Sequence, residues 1–320
     1  MRTFSAFAIL AFLSLVAGRS VAADPWPAHA IRIVVAVPAG SPADIDARIV
    51  AEGYEKELGT PVVVDNRPGA DGIIAVGLVT AAAADGHTLL FGLGSQFAVN
   101  PVLYAKLPYD PKRDLVPVSL VARQGMLVAV HPSLPVSSLR ELADYSRANP
   151  GSVNYGAGTS TFMLAAEAMK QHGGMDMQHI PFNGVGPAMT ALLGGTVQVA
   201  LVPATTALAA AQAGKMRVIA VAGTSRLAAL PDVPTLAEAG YPDEVPVWTA
   251  VFAPAGTPRA IVERLHAATL RTLASPANRA RFAASAETVI ASTPEELGAT
   301  IVRDIARMEA LVRRIGLAPR

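Results

Sequence analysis

Residues 31–50 read IRIVVAVPAGSPADIDARIV. Apart from Arg32, residues 31–37 are apolar and rich in Ile and Val, without strict alternation. That pattern suits a parallel strand buried on both faces. A turn of small residues follows, with Pro38, Ala39 and Gly40. Ser41 is placed to cap a helix, Pro42 fits its first position, and Asp44 suits its first turn. Ile45, Ile49 and Val50 then lie on one helical face that runs to about Leu58. The stretch is therefore one strand, one loop of small residues and one helix.

The unit recurs along the chain. Residues 61–64 form a short strand, NRPGADG at 66–72 a turn, and the Ala- and Val-rich segment after it a helix. Asp85 and Gly86 make another turn before a strand at 87–91 and a loop at 92–95. A further strand is expected at 124–131, and Ser138 with Glu141 forms a capping box. A second set of units spans residues 152–222, with loops at 156–161 and 182–186, a helix beginning at Pro187, and a turn at 203–206. Two helix starts stand out near the C-terminus, at Thr257-Pro258 and Thr293-Pro294-Glu295-Glu296. This alternation predicts an α/β fold built on mostly parallel sheet, in two lobes. Proline-rich stretches at 230–234 and 241–246 are candidate connections.

The N-terminus reads as a cleaved secretory signal over residues 1–23. Arg2 is the charged start, residues 4–17 are an apolar run too short to span a bilayer, and SVA and VAA at 20–23 fit a signal peptidase site. Without that segment, 297 residues remain, with 24 basic against 25 acidic side chains and a formal charge of −1. A near-neutral chain with 5% aromatic residues excludes an electrostatic nucleic-acid binder. There is no cysteine, which removes disulfides and thiolate chemistry, so stability falls to the apolar core that 52% hydrophobic content supplies.

Enzymatic signatures are missing. The sequence has neither a Gly-x-Ser-x-Gly elbow nor a Gly-x-x-x-x-Gly-Lys-Ser/Thr loop, and its Gly-x-Gly pairs at 92–94 and 156–158 lack the third glycine of a dinucleotide site. His172 and His179, among Met169, Met175 and Met177, match no standard metal spacing. The reading is of no catalytic residue, no metal and no cofactor. What recurs is the loop of Gly, Ser or Thr before a helix, at 38–44, 92–96, 156–161 and 182–187. Helix N-termini carry unpaired N–H groups and partial positive charge, and small residues let an anion approach them. Such loops on two facing lobes would make an anion site, although any α/β protein has loops of this composition.

At these residues a resemblance becomes specific. WPAHAIRIVVAVPAGSPADIDAR at 26–48, LGTPVVVDNRPGADG at 58–72, DGHTLLFG at 85–92 and NPVLYAKLPYDPKRDLVPVSLVA at 100–122 resemble the Bug family, the substrate-binding proteins of tripartite tricarboxylate transporters. So do NPGSVNYGAGT at 149–159, HIPFNGVGPAMTALLGGTVQV at 179–199, LPDVPTLAEAGYP at 230–242 and FAPAGTP at 252–258. The resemblance implies a two-lobed periplasmic binding protein of type II-like, Venus-flytrap form with two crossing strands. Lobe 1 would be residues 24–124 with 247–320, and lobe 2 residues 125–246. It implies a small carboxylic acid bound in the cleft, closure on binding, delivery to the membrane subunits of a transporter, a monomeric state and a periplasmic location. The alternative is a sensor of the same fold that reports occupancy to a membrane receptor or sensor kinase.

Candidate ligand contacts follow from the loops and the resemblance together. They are Ala39, Gly40, Ser41, Ala43 and Asp44 in the first loop, and Ser95 and Gln96 in the next. In the second lobe they are Gly158, Thr159, Asn183, Gly184, Val202 and Pro203. Ser41 stands where the family carries a second glycine, and is read as a helix cap in preference to a ligand hydroxyl. Asp44 is either a first-turn acid or a group that orients the loop. Thr159 is the best hydroxyl candidate. Asn183 stands where the family commonly carries a lysine, so a basic contact is absent; Val202 stands in place of a common acid, which implies a ligand without an ammonium group.

Overall fold

The computed structural model describes residues 26–223, 226–227, 229–241 and 245–319. The expected signal at 1–23 lies outside them, as does part of the candidate connection at 241–246. In chain order the strands are β1 (Ile31–Val35), β2 (Val62–Asn66), β3 (Thr88–Leu93), β4 (Leu115–Gln124), β5 (Met126–Val130), β6 (Asn154–Ala157), β7 (Gln178–Pro181), β8 (Val199–Pro203), β9 (Arg217–Ala222), β10 (Trp248–Pro254) and β11 (Glu287–Val289). The helices are α1 (Pro42–Leu58), α2 (Ile73–Thr80), α3 (Asn100–Leu103), α4 (Leu139–Ala148), α5 (Ser160–Gly173), α6 (Val185–Leu193), α7 (Ala204–Gln212), α8 (Arg259–Ala274), α9 (Pro276–Ala284) and α10 (Pro294–Ile315).

The strands form two sheets, one in the order β11-β4-β10-β3-β1-β2 and the other β7-β6-β8-β5-β9. The first takes its strands from both ends of the chain and the second from the middle. In each sheet three strands run parallel, β2-β1-β3 and β7-β6-β8, and the rest are antiparallel. The expectation of mostly parallel sheet is corrected accordingly. The chain crosses to the second sheet and returns, which lets β10 lie between β3 and β4, antiparallel to both.

Burial explains the unalternating apolar runs. Along β1, Ile31, Ile33 and Val35 pack on one face of the sheet while Val34 packs on the other. In β5, Met126, Val128 and Val130 face one cluster, and Leu127 and Ala129 face another. Each such Val, Leu or Ile side chain taken out of water contributes about 1.5–3 kcal/mol. One apolar cluster passes through both lobes, joining Trp248 and Leu297 of the first to Phe162 and Tyr155 of the second. Gln171 Nε2 of α5 also donates to Arg314 O at the end of α10, at 2.6 Å.

Several boundaries differ from expectation. The strand expected at 124–131 is two strands broken at Gly125, so Gln124 closes the first sheet and Met126 opens the second. Strand β4, which shares only Gln124 with that expected strand, escaped the sequence reading because Pro117 sits inside it. The sheet accommodates that proline beside a register shift opposite Val251 and Phe252. Helix α6 begins at Val185, with Pro187 inside its first turn. Thr293 and Glu296 form the full capping box. Ser138 accepts from Glu141 N, but the Glu141 carboxylate accepts from Ser137 rather than closing the box. Thr257 caps nothing, since its Oγ1 donates to Pro254 O at 2.7 Å and Pro258 is the cap of α8.

Candidate functional site

The β1–α1 loop is held rigid from inside. Asp44 is 1% exposed. Its Oδ2 accepts from Gly40 N at 2.8 Å and from Arg48 Nε at 3.0 Å, and its Oδ1 accepts from Asn66 Nδ2 at 2.8 Å. Asn66, at the end of β2, also donates to Val37 O at 3.0 Å. Burial raises the Asp44 carboxyl, but the bonds from Arg48, Gly40 and Asn66 outweigh it and hold the carboxyl below its ordinary value. Asp44 thus orients the loop. Ser41 does not cap α1, because its side chain makes no capping bond and its Oγ is buried without a protein partner. The expected preference for capping is corrected by that geometry.

The second lobe supplies the opposing loops. Thr159 caps α5, its Oγ1 accepting from Phe162 N at 3.3 Å. Ser160 Oγ beside it, in the first turn of α5, is buried without a partner, as is Thr205 Oγ1 in the first turn of α7. Gly158 lies directly against the α6 loop: a Cβ there would stand 2.3 Å from Gly184 C and 2.5 Å from Val185 N. The absence of a side chain at 158 is what lets the starts of α5 and α6 sit together.

Between the lobes is a cavity of about 90 Å³. The first lobe lines it with Val37, Ser41, Pro42, Ala43, Leu93, Gly94, Ser95 and Gln124. The second gives Thr159, Thr161, Phe162, Val185 and Pro203, and the returning crossover gives Pro246, Val247 and Trp248. Among the described residues, no Asp, Glu, Lys, Arg or His is in the lining. Its polar groups are hydroxyls, the Gln124 amide and the first-turn backbone N–H groups of Ala43 and Thr161; Pro42 has no N–H, and Asp44 N and Phe162 N are taken by Ser41 O and Thr159 Oγ1. The crossings are tied to each other and to the floor. Gln124 N donates to Val247 O at 3.0 Å, and Ala204 N donates to Gly125 O at 2.8 Å. Trp248 is fixed by its Nε1, which donates to the buried Asp304 at 3.0 Å.

Of the residues singled out from sequence, Ser41, Ala43, Ser95, Thr159 and Pro203 line this cavity together. Ala39, Gly40, Asp44, Gly158, Asn183 and Gly184 lie on or beside the same loops but outside the lining, with Ala39, Gly40 and Asn183 exposed. Gln96 is turned inward, its Oε1 accepting from Leu93 N at 3.0 Å. Val202 packs in the core of the second sheet with Leu127 and Leu192. A side chain at 202 is therefore not in the cleft lining, and the argument it offered against an ammonium ligand lapses. Sequence reasoning missed Gln124, Thr161, Pro246 and Val247. The signal for Gln124 was its place at the end of an apolar run just before a glycine.

Outside the cleft, His29, Asp85 and His87 gather close enough to suggest a metal. His87 Nε2 accepts from Ala28 N at 3.1 Å, so the neutral ring carries its proton on Nδ1, 3.3 Å from Asp85 Oδ1. Nε2 is thereby committed within the protein, Nδ1 is buried without a hydrogen-bond partner, and the His29 ring is stacked on His87.

A two-lobed α/β molecule with facing helix starts at its cleft has clear relatives. Residues 46–317 match the family described as the tripartite tricarboxylate transporter family receptor. The chain belongs to this family. Among its relatives is protein BugT of Bordetella pertussis, 36% identical over 300 residues, which covers 92% of each chain. Among solved structures, a protein of R. palustris with adipate superposes with a TM-score of 0.86 at 32% identity, covering 92% of this chain and 100% of the other. MatC from Rhodopseudomonas palustris, with bound malate, gives a TM-score of 0.83 at 32% identity, covering 90% of this chain and 100% of that one. The periplasmic binding protein BugD gives 0.84 at 30% identity, covering 92% and 100%. The fold is accordingly the two-lobed periplasmic binding protein fold of this family. Among the described residues, no helix is long and apolar enough to cross a membrane.

Proposed function

We propose that this chain is a periplasmic solute-binding protein, exported through a cleaved signal at residues 1–23. It captures a small carboxylic acid between its lobes and presents it to the membrane subunits of a tripartite tricarboxylate-type transporter. It acts as a monomer and has no catalytic role. The lobes divide as residues 24–124 with 247–320, and 125–246. The observation that carries this reading is the cleft lining: hydroxyls and first-turn N–H groups from both lobes, with no charged side chain among the described residues. A carboxylate is the ligand such a surface favours, because it accepts from helix N-termini and hydroxyls and needs no cation. Relatives solved with adipate and malate support the same class. Ligand bound across the cleft would hold both lobes, and hinge closure would follow from contacts made only when they approach.

The test is a thermal-shift screen of the mature protein, stripped of carried-over ligand, against mono-, di- and tricarboxylates, aromatic acids, amino acids and neutral sugars. A ligand at a hundred times its dissociation constant stabilises the native state by about 2.7 kcal/mol. Raised midpoints confined to carboxylates are expected. Shifts confined to sugars, or none with any acid, would refute the reading.

A further inference from the structure

Beneath Gln124 lies a buried pair of acids that the cleft chemistry above does not use. Asp46, on α1, is 2% exposed, and Glu287, on β11, is 7% exposed. Gln124 and Glu287 are directly opposed in the β4–β11 pairing. Gln124 Nε2 donates to Glu287 Oε1 at 2.9 Å and reaches Asp46 Oδ2 at 3.5 Å. Thr249 Oγ1 donates to the same Asp46 oxygen at 3.3 Å. Glu287 Oε2 is buried without a partner if the acid is ionised. As a carboxylic acid it donates to Asp46, which satisfies it. Burial first, and then the Asp46 charge, push Glu287 up towards that protonated form.

This arrangement leaves the amide one orientation. Asp46 Oδ2 and Glu287 Oε1 are both acceptors, so they must be met by the amide NH₂ end. Gln124 Oε1 then points elsewhere: it has no protein partner, it is not a buried orphan, and Gln124 lines the cavity. We infer that Gln124 is a specificity residue that offers the cleft a fixed hydrogen-bond acceptor, and that the ligand is a carboxylic acid bearing a hydroxyl which donates to it. Asp46 and Glu287 are positioning residues acting through Gln124.

Two arguments select a hydroxyl. The acid pair holds one negative charge behind Gln124, which disfavours a second carboxylate at that end and favours a donor. An ammonium would be desolvated in a cleft whose described lining has no carboxylate to face it, whereas a hydroxyl is satisfied by one amide oxygen. The ligand's carboxylate accordingly sits at the starts of α1 and α5, with its hydroxyl towards Gln124. This inference rests on the carboxylate reading above.

The test is titration calorimetry with matched acids, butanoate against 3-hydroxybutanoate and succinate against malate. In the wild-type protein the hydroxylated member of at least one pair is expected to bind about tenfold more tightly, the equivalent of about 1.4 kcal/mol. Gln124→Leu should bring that ratio to within about twofold. Glu287→Leu, which frees the amide, should also shrink it. Glu287→Gln should preserve it, because the new side chain can donate to Asp46 and accept from Gln124. A merely structural role for the pair would leave the ratio unchanged in Glu287→Leu, and that result would overturn the positioning role. Equal binding of both members of both pairs by wild-type protein overturns the inference and leaves the carboxylate reading standing. Failure of all four acids to bind, followed by failure of the wider screen, overturns both.

Discussion

Ser41 separates two roles that the sequence left open. A serine before a helix is ordinarily a cap, and removing a cap costs about 0.5–2 kcal/mol. Here the hydroxyl makes no capping bond and lies unpaired at the cleft. Ser41→Ala should therefore leave the melting temperature of the ligand-free protein nearly unchanged while weakening carboxylate binding about fivefold to tenfold. Calorimetry and thermal melting on the same sample check this, and a lowered melting temperature with unchanged affinity would restore the cap. Glu287 makes a second prediction, on pH. Its folded-state value is raised above the ordinary 4.5, by burial and by Asp46. A raised acid contributes stability that is complete below the unfolded value and is lost as pH rises towards the folded one. Stability should thus decline from about pH 5 into the alkaline range, and Glu287→Gln should flatten that decline, as denaturant titrations across pH would reveal.

At the level of elements, the loops before α1, α5 and α6 were legible and the strands between them less so. Helix starts announce themselves through short polar residues and proline, because their chemistry is local. Strand β4 was hidden by Pro117, whose fit depends on a register shift across from β10. Gln124 was hidden for a related reason. Its orientation comes from Glu287, distant by 163 residues in sequence, and no local pattern records such a pairing. The contact between the α5 and α6 loops has its own consequence. Gly158→Ala would drive a methyl group into the Gly184 backbone, where a Cβ would meet carbonyl carbon at 2.3 Å. That backbone cannot rotate aside as a side chain can, so a stability loss of about 1–3 kcal/mol is expected. Affinity should fall more than tenfold, since the two helix starts would separate. Denaturant melts and ligand titration measure the two effects.

The whole molecule is two sheets joined at two crossings and pinned at a third place. Gly125 and the segment leading into Trp248 carry the crossings, bonded through Gln124 N and Val247 O. The third is the contact of α10 with α5, where Gln171 meets Arg314. The proposed closure on a ligand would therefore pivot near the cleft floor and be limited on the α10 side. Hydrogen exchange should show ligand-dependent protection in residues 38–44, 156–161 and 182–187, with little change within α10. The two-lobed outline was legible because loops of one composition recur in both halves. The mixed character of each sheet was not, since it follows from where the chain crosses and not from any one strand.

On the proposed function, backbone N–H groups and hydroxyls from both lobes bind a carboxylate anion in a cleft whose described lining has no charged side chain. The most direct measurement of this claim is titration calorimetry of the mature, stripped protein with each acid that raises its melting temperature, and with the methyl ester of that acid. The ester keeps the carbon chain and removes the charge. Binding of the acid with a loss of roughly a hundredfold on esterification is predicted. Esters that bind as tightly as their acids would contradict the claim, because the cleft would then be recognising the chain and not the anion.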